Sequence, residues 1–196
     1  ALALAHAVAG GLECLGRRTR PGSVVYVCGE APFGLKPRLQ AWEHEYGSVS
    51  GNMRYVCAPV QFGDGAAIKQ LGEQIVKLPV SPALIIFDTV ARCTTGLDEN
   101  KQQDMGIVVG HVDELRTTGA TVLLIHHVAR PGEDGRIHER GSTVLGDAAD
   151  TMIQLVDEGN RRFTAVCTKQ KDAERFLPIH LKLKRTGMSC VVVPAA

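Results

Sequence analysis

Three apolar runs in this sequence end in groups that can move a proton or hold a cation. Glu30 follows Val24-Val25-Tyr26-Val27-Cys28-Gly29, Asp88 closes Leu84-Ile85-Ile86-Phe87, and His126-His127 closes Val122-Leu123-Leu124-Ile125. In an open parallel sheet, ligands bind beyond the carboxyl ends of the strands, so three such strands side by side would bring these groups together. Asp88 could then hold a water of Mg²⁺ bound to nucleotide phosphates, with Thr89 assisting the same shell. Glu30 could orient and deprotonate an attacking water. One imidazole could hydrogen-bond a terminal phosphate and report its loss to the adjoining loop.

Each group also has a plainer reading. Asp88 and Thr89 could merely make a turn, and Glu30 could be a solvated loop glutamate. One histidine could sit in the core and the other pair with a surface carboxylate. A metal-binding pair is disfavoured, because adjacent strand residues point to opposite faces. Arg140, before Gly141-Ser142, and Lys169 and Lys171, in Thr168-Lys169-Gln170-Lys171-Asp172, are either phosphate-reaching cations or solvated surface. The string G-x-x-x-x-G-K-[ST], whose amides and lysine cradle phosphates, does not occur, and Gly10-Gly11 and Gly29-Glu30-Ala31 do not replace it.

The elements that must position these groups read as follows. An Ala/Leu-rich helix over residues 1–9 ends at Gly10-Gly11, and a basic loop holds Arg17, Arg18 and Arg20. Strands are expected at 24–28, 54–57, 83–87 and 121–125, alternating with helices at 35–46, 66–77 and one running through Leu115. Continuous apolar strands between helices indicate a parallel sheet covered on both faces, hence an α/β fold. Residues 129–139 are rich in glycine, proline and charge and read as a surface loop. A short helical stretch follows, then strands at 152–156, 163–168, 179–183 and 190–193, joined by turns such as Glu158-Gly159-Asn160. These are expected to extend the parallel sheet in antiparallel fashion.

Composition sets the outer limits. The 196 residues suit one domain with a substantial core, and 44% hydrophobic and 22% charged residues are ordinary for a globular protein. A net charge of +1 gives no global basic field, so any nucleic-acid contact must be local. The six cysteines form no C-x-x-C pair and read as buried free thiols of a reducing cytoplasm. The apolar start is too short for a membrane span and lacks a basic leader.

Taken in order, the strings from Ser23 to Glu30, Leu84 to Arg92, Asp98-Glu99-Asn100, Val122 to His127 and Arg140 to Leu145 resemble the RepA-type branch of RecA-like ATPases. Asp150 and Thr168-Lys169-Gln170-Lys171 continue the match. That branch includes plasmid and phage hexameric helicases and related AAA-labelled phage proteins. The resemblance implies a RecA-like P-loop NTPase core forming a single domain over 1–196, with its first strand and Walker A loop upstream of Ala1. Without that loop, the 196 residues alone are expected to bind ATP weakly and to be inactive.

By the same resemblance, Glu30 is the catalytic base, Asp88 the Walker B acid and His126-His127 the γ-phosphate sensor. Thr89, Lys169 and Lys171 lie near nucleotide, and Arg140, in competition with Lys169 and Lys171, is offered to a neighbour's nucleotide. Loops 92–100 and 129–139 face DNA, with Arg92, Arg130 and Arg136 as phosphate contacts. The implied cofactors are ATP and Mg²⁺. The implied partners are single-stranded DNA and further copies in a hexameric ring, with no membrane. The alternatives are a recombination or repair ATPase forming filaments, and a degenerate domain serving as a loader.

Overall fold

The computed structural model describes residues 1–30, 32–48, 51–127 and 143–195. The expected DNA-facing loop 129–139, with Arg130 and Arg136, and the candidate finger Arg140 lie outside the described residues. Among those described, the strands form two four-stranded sheets, one parallel in the order β2-β1-β3-β4 and one antiparallel in the order β5-β6-β7-β8. The strands are β1 (Ser23–Cys28), β2 (Met53–Val56), β3 (Pro82–Asp88), β4 (Thr121–Ile125), β5 (Thr151–Gly159), β6 (Arg162–Gln170), β7 (Ile179–Thr186) and β8 (Ser189–Pro194). The late strands are antiparallel, as expected, but among the described residues β5 pairs with β6 and not with β4, so they build a sheet of their own rather than extending the parallel one. The chain divides into two compact units, Ala1–Phe33 with Ser50–Leu145, and Gly34–Val49 with Gly146–Ala196.

In the first unit the two faces of the parallel sheet are covered differently. Val25, Val27, Ile85 and Phe87 point to one face, where they meet α3 (Gly65–Ile75) and α5 (Gln102–Arg116). Helix α3 presents Ile68, Leu71 and Ile75, and α5 presents Met105, Val108, Val112 and Leu115, each at the three-to-four spacing of one helical face. Asp64 starts α3 by accepting from the amides of Ala66 (3.0 Å) and Ala67 (3.1 Å). The helix stops at Ile75, short of the expected 77, because Lys77 and Leu78 tighten into bonds to the carbonyls of Gln74 and Ile75. Phe87, the residue before Asp88, packs against Phe62 with ring centroids 4.6 Å apart and the rings tilted by 40°.

The opposite face carries α1 (Leu2–Gly10), closed by Gly11 in the left-handed region (φ 64°), as the Gly10-Gly11 pair predicts. Here Tyr55, Tyr26 and Ile86 lie in one row across β2, β1 and β3. His6 of α1 is 2% exposed and meets the Tyr55 hydroxyl at 2.9 Å through Nε2. Burial holds its pKa down, from 6.5 to about 4.

In the second unit α2 (Leu35–Tyr46) packs on β7 and β8. Pro37 falls in its first turn, where a missing amide costs nothing. The Tyr46 hydroxyl donates to the Val192 carbonyl (3.1 Å) and Lys184 pairs with Glu45 (2.7 Å). The β5–β6 turn falls at Asn160-Arg161, both with positive φ, rather than at Glu158-Gly159-Asn160. That pair of left-handed residues is the geometry whose twist suits a two-residue hairpin, so β5 runs on to Gly159.

All six cysteines are free, but only Cys28, Cys93 and Cys167 are buried, while Cys57 and Cys190 are exposed. The last two belong to sheet edges: Cys57 follows β2 and Cys190 lies on β8, strands with a partner on one side only. Burial pushes the Cys93 thiol up to about 11, leaving it inert near neutrality. Among the described residues no helix is long and apolar enough to cross a membrane.

Candidate functional site

Strands β1, β3 and β4 lie side by side in parallel, with Cys28 opposite Asp88 and Asp88 opposite Ile125. Glu30, two residues past β1, and His126-His127, just past β4, therefore fall on one edge with Asp88 between them. The amides of Gly29 (2.8 Å) and Glu30 (3.2 Å) both donate to the Asp88 carbonyl, tying the Glu30 turn to the end of β3. Gly29 is required by space: a Cβ there would come within 2.9 Å of the Arg92 Cβ, the root of that side chain and unable to swing away.

The side chains on this edge engage one another. Thr89, 3% exposed, donates its hydroxyl to Glu30 Oε2 at 3.3 Å. The same carboxylate oxygen lies 3.6 Å from His127 Nε2. Tyr26 donates its hydroxyl to Asp88 Oδ2. A cis peptide joins Asp88 to Thr89. His126 turns to a different carboxylate, Glu99, at 3.9 Å, so neither histidine is a core residue and each faces an acid. Glu30 and His127 are 46% and 68% exposed at their side chains, which leaves them open to substrate and water.

Two carboxylates and a hydroxyl on one sheet edge form a set of hard oxygen donors, which suits Mg²⁺ carrying its own waters and phosphate oxygens. Asp88 and Thr89 would hold it, leaving Glu30 beside them to act on a water. The arrangement brings together Glu30, Asp88, Thr89 and His127 of the residues singled out in the sequence.

The remaining candidates lie elsewhere. Arg92 sits exposed on a short helix, α4 (Val90–Cys93), rather than in an open loop. Gln61 pins this segment by donating to the Arg92 carbonyl (3.0 Å) and accepting from the Thr95 amide (2.9 Å). In the following turn, Asp98 accepts from the backbone and side-chain nitrogens of Asn100, bonds that hold its carboxyl below the usual range. In the second unit, Lys169 donates to the carbonyls of Gly146 (2.8 Å) and Asp147 (2.9 Å), and Lys171 pairs with Asp150 at 3.1 Å. Both lysines are therefore already engaged within their own unit.

Tyr26, Gln61 and Glu99 belong to the site's surroundings, although the sequence assigns none of them a role; Tyr26 and Glu99 stand there only as members of matching strings. For Tyr26 a signal existed: it carries the one hydroxyl within the run Val24 to Cys28.

A parallel sheet with an acid ending one strand, a glutamate after its neighbour and a histidine pair after the next is the arrangement that the resemblance to RecA-like ATPases implies. Solved structures bear out that fold. One solved ATPase domain superposes with a TM-score of 0.63 at 11% identity, covering 89% of this chain and 75% of that one. The RadB recombinase superposes with a TM-score of 0.58 at 16% identity, covering 89% and 80% respectively. The AAA domain family matches residues 1–133, more than half of the sequence, and the chain belongs to that family. No curated protein matches it.

Proposed function

We propose that this chain is the ATP-hydrolysing part of a DNA helicase or translocase of phage or plasmid replication, cytoplasmic and assembled as a hexameric ring on single-stranded DNA. The observation that carries the reading is Glu30 Oε2, held by Thr89 and facing His127 next to Asp88. Mg²⁺, when bound with ATP, supplies charge neutralisation on the phosphate oxygens.

The chain's own residues do the rest. Glu30 takes the proton of the attacking water, its distance from Asp88 set by two amides on one carbonyl. Thr89 orients the glutamate. His127 shares that carboxylate, so a terminal phosphate arriving at the edge competes for its imidazole and changes its contact. That exchange would report loss of the phosphate to the loop 129–139 assigned to DNA. Arg140 remains the proposed trans finger, and Arg92, Arg130 and Arg136 the proposed DNA contacts. Lys169 and Lys171 take that finger role only if a neighbour's phosphate draws them from their present carbonyl and carboxylate partners. The two units are proposed to work as one ATPase domain.

A second reading, a filament-forming recombination ATPase, draws on the likeness to the RadB recombinase. Single-stranded DNA is expected to raise ATP turnover of the full-length protein severalfold, and the protein to unwind a forked duplex. Strand exchange without unwinding would favour the recombination reading, and turnover indifferent to DNA would count against both.

A further inference from the structure

Tyr26 stands in the middle of β1 with aliphatic neighbours on either side, and it is 3% exposed. Its register partners are Tyr55 on β2 and Ile86 on β3, so Asp88 is its diagonal neighbour, two residues further along β3 on the same face. Diagonal neighbours across two strands lie within reach of an aromatic side chain. The hydroxyl uses that reach to donate to Asp88 Oδ2. The ring is held in turn by Tyr55, at 6.2 Å between centroids, and Tyr55 is anchored by His6. A buried donor therefore approaches the Asp88 carboxylate along the face of the sheet that carries α1.

We propose that Tyr26 is a positioning residue for Asp88. This rests on the reading of Asp88 as the acid that holds a Mg²⁺-bound water. A carboxylate on the last residue of a strand is otherwise free to rotate about its side-chain bonds. With Oδ2 engaged by a donor that cannot itself move, the carboxylate keeps one orientation and aims its outer oxygen at the sheet edge. A neutral phenol does this without a competing positive charge, which a lysine in the same place would bring. The plainer account is that a buried tyrosine simply needs an acceptor. The two differ in what removal of the hydroxyl does: the plain account touches stability alone, whereas positioning touches the metal requirement.

The test uses the full-length protein and Tyr26→Phe, which keeps the ring. Binding of a fluorescent ATP analogue is titrated with Mg²⁺, and hydrolysis is measured alongside. Tyr26→Phe should raise the Mg²⁺ concentration for half-maximal binding about tenfold, as loss of an outer-shell partner does at other metal sites, with Mg²⁺-free affinity unchanged. Tyr55→Phe, which removes the hydroxyl that meets His6, should leave the Mg²⁺ requirement alone. In an Asp88→Asn background, Tyr26→Phe should add nothing, because its effect passes through that carboxylate.

A normal Mg²⁺ requirement in Tyr26→Phe beside an impaired one in Asp88→Asn would overturn the role of Tyr26 and leave that of Asp88 standing. A normal requirement in Asp88→Asn would overturn both. Equal effects of Tyr26→Phe and Tyr55→Phe would reduce Tyr26 to a packing residue.

Discussion

In the full-length protein, replacing Glu30 with glutamine is expected to lower ATP turnover by roughly 10²–10⁴-fold while leaving nucleotide affinity in place. The substitution is nearly isosteric. The amide oxygen of glutamine can still accept from the Thr89 hydroxyl, which now lies 3.3 Å from Oε2, so the local packing survives. Lost are the negative charge and the capacity to take a proton from water. The edge also loses the charge that faces His127 at 3.6 Å, a solvent-exposed pair whose own contribution to stability is small. Turnover should therefore collapse without unfolding. Phosphate release at saturating ATP, beside a binding titration, measures both halves, and unchanged release would remove Glu30 as the base.

The second large effect concerns stability. His6 lies 2% exposed between α1 and the sheet, and burial lowers its pKa from 6.5 to about 4. Between those values the unfolded chain binds a proton that the folded chain refuses. Stability from this residue is thus complete above about pH 6.5, falls as the pH drops through the window, and levels off below about pH 4. A shift of that size corresponds to about 3 kcal/mol across the window. Urea denaturation at steps between pH 4 and 7 should show the loss, and His6→Gln should flatten the difference while keeping a hydrogen-bonding group near Tyr55. Parallel slopes for the two proteins would show that His6 titrates normally.

The parallel sheet and its helices were legible because burial on both faces forces a continuous apolar run, as in Val24 to Cys28 and Leu84 to Phe87. Such runs can be read without knowing what packs on them. The edge residues were legible for the same reason: Glu30, Asp88 and His126-His127 stand where the apolar runs stop. Strand length in the late hairpin was not, because Asn160-Arg161 adopts a left-handed turn that a Gly-Asn pair one residue earlier conceals. The separation of the sheets depends on which strands pair, β5 with β6 rather than with β4, and periodicity carries no information on pairing.

Side-chain partners were the least legible part. Lys169 reaches back 23 residues to the Gly146 carbonyl, and Tyr26 reaches 62 residues ahead to Asp88. The Tyr26 contact is set by register across the parallel sheet, and the Lys169 contact by where the short helix Val144–Ala148 comes to lie, so both exist only once the chain has folded. Cys57 and Cys190 show the same limit, since their exposure follows from edge positions rather than from their apolar neighbours.

On this reading, the strand edge bearing Glu30, Asp88, Thr89 and His127 hydrolyses ATP. A structure of the full-length protein with Mg²⁺ and a non-hydrolysable ATP analogue tests it most directly. The terminal phosphate is expected at this edge, with a water between it and the Glu30 carboxylate, and Asp88 on the metal's water shell with Tyr26 still donating to Oδ2. A nucleotide bound elsewhere, with Glu30 and Asp88 left in contact with solvent alone, would contradict it.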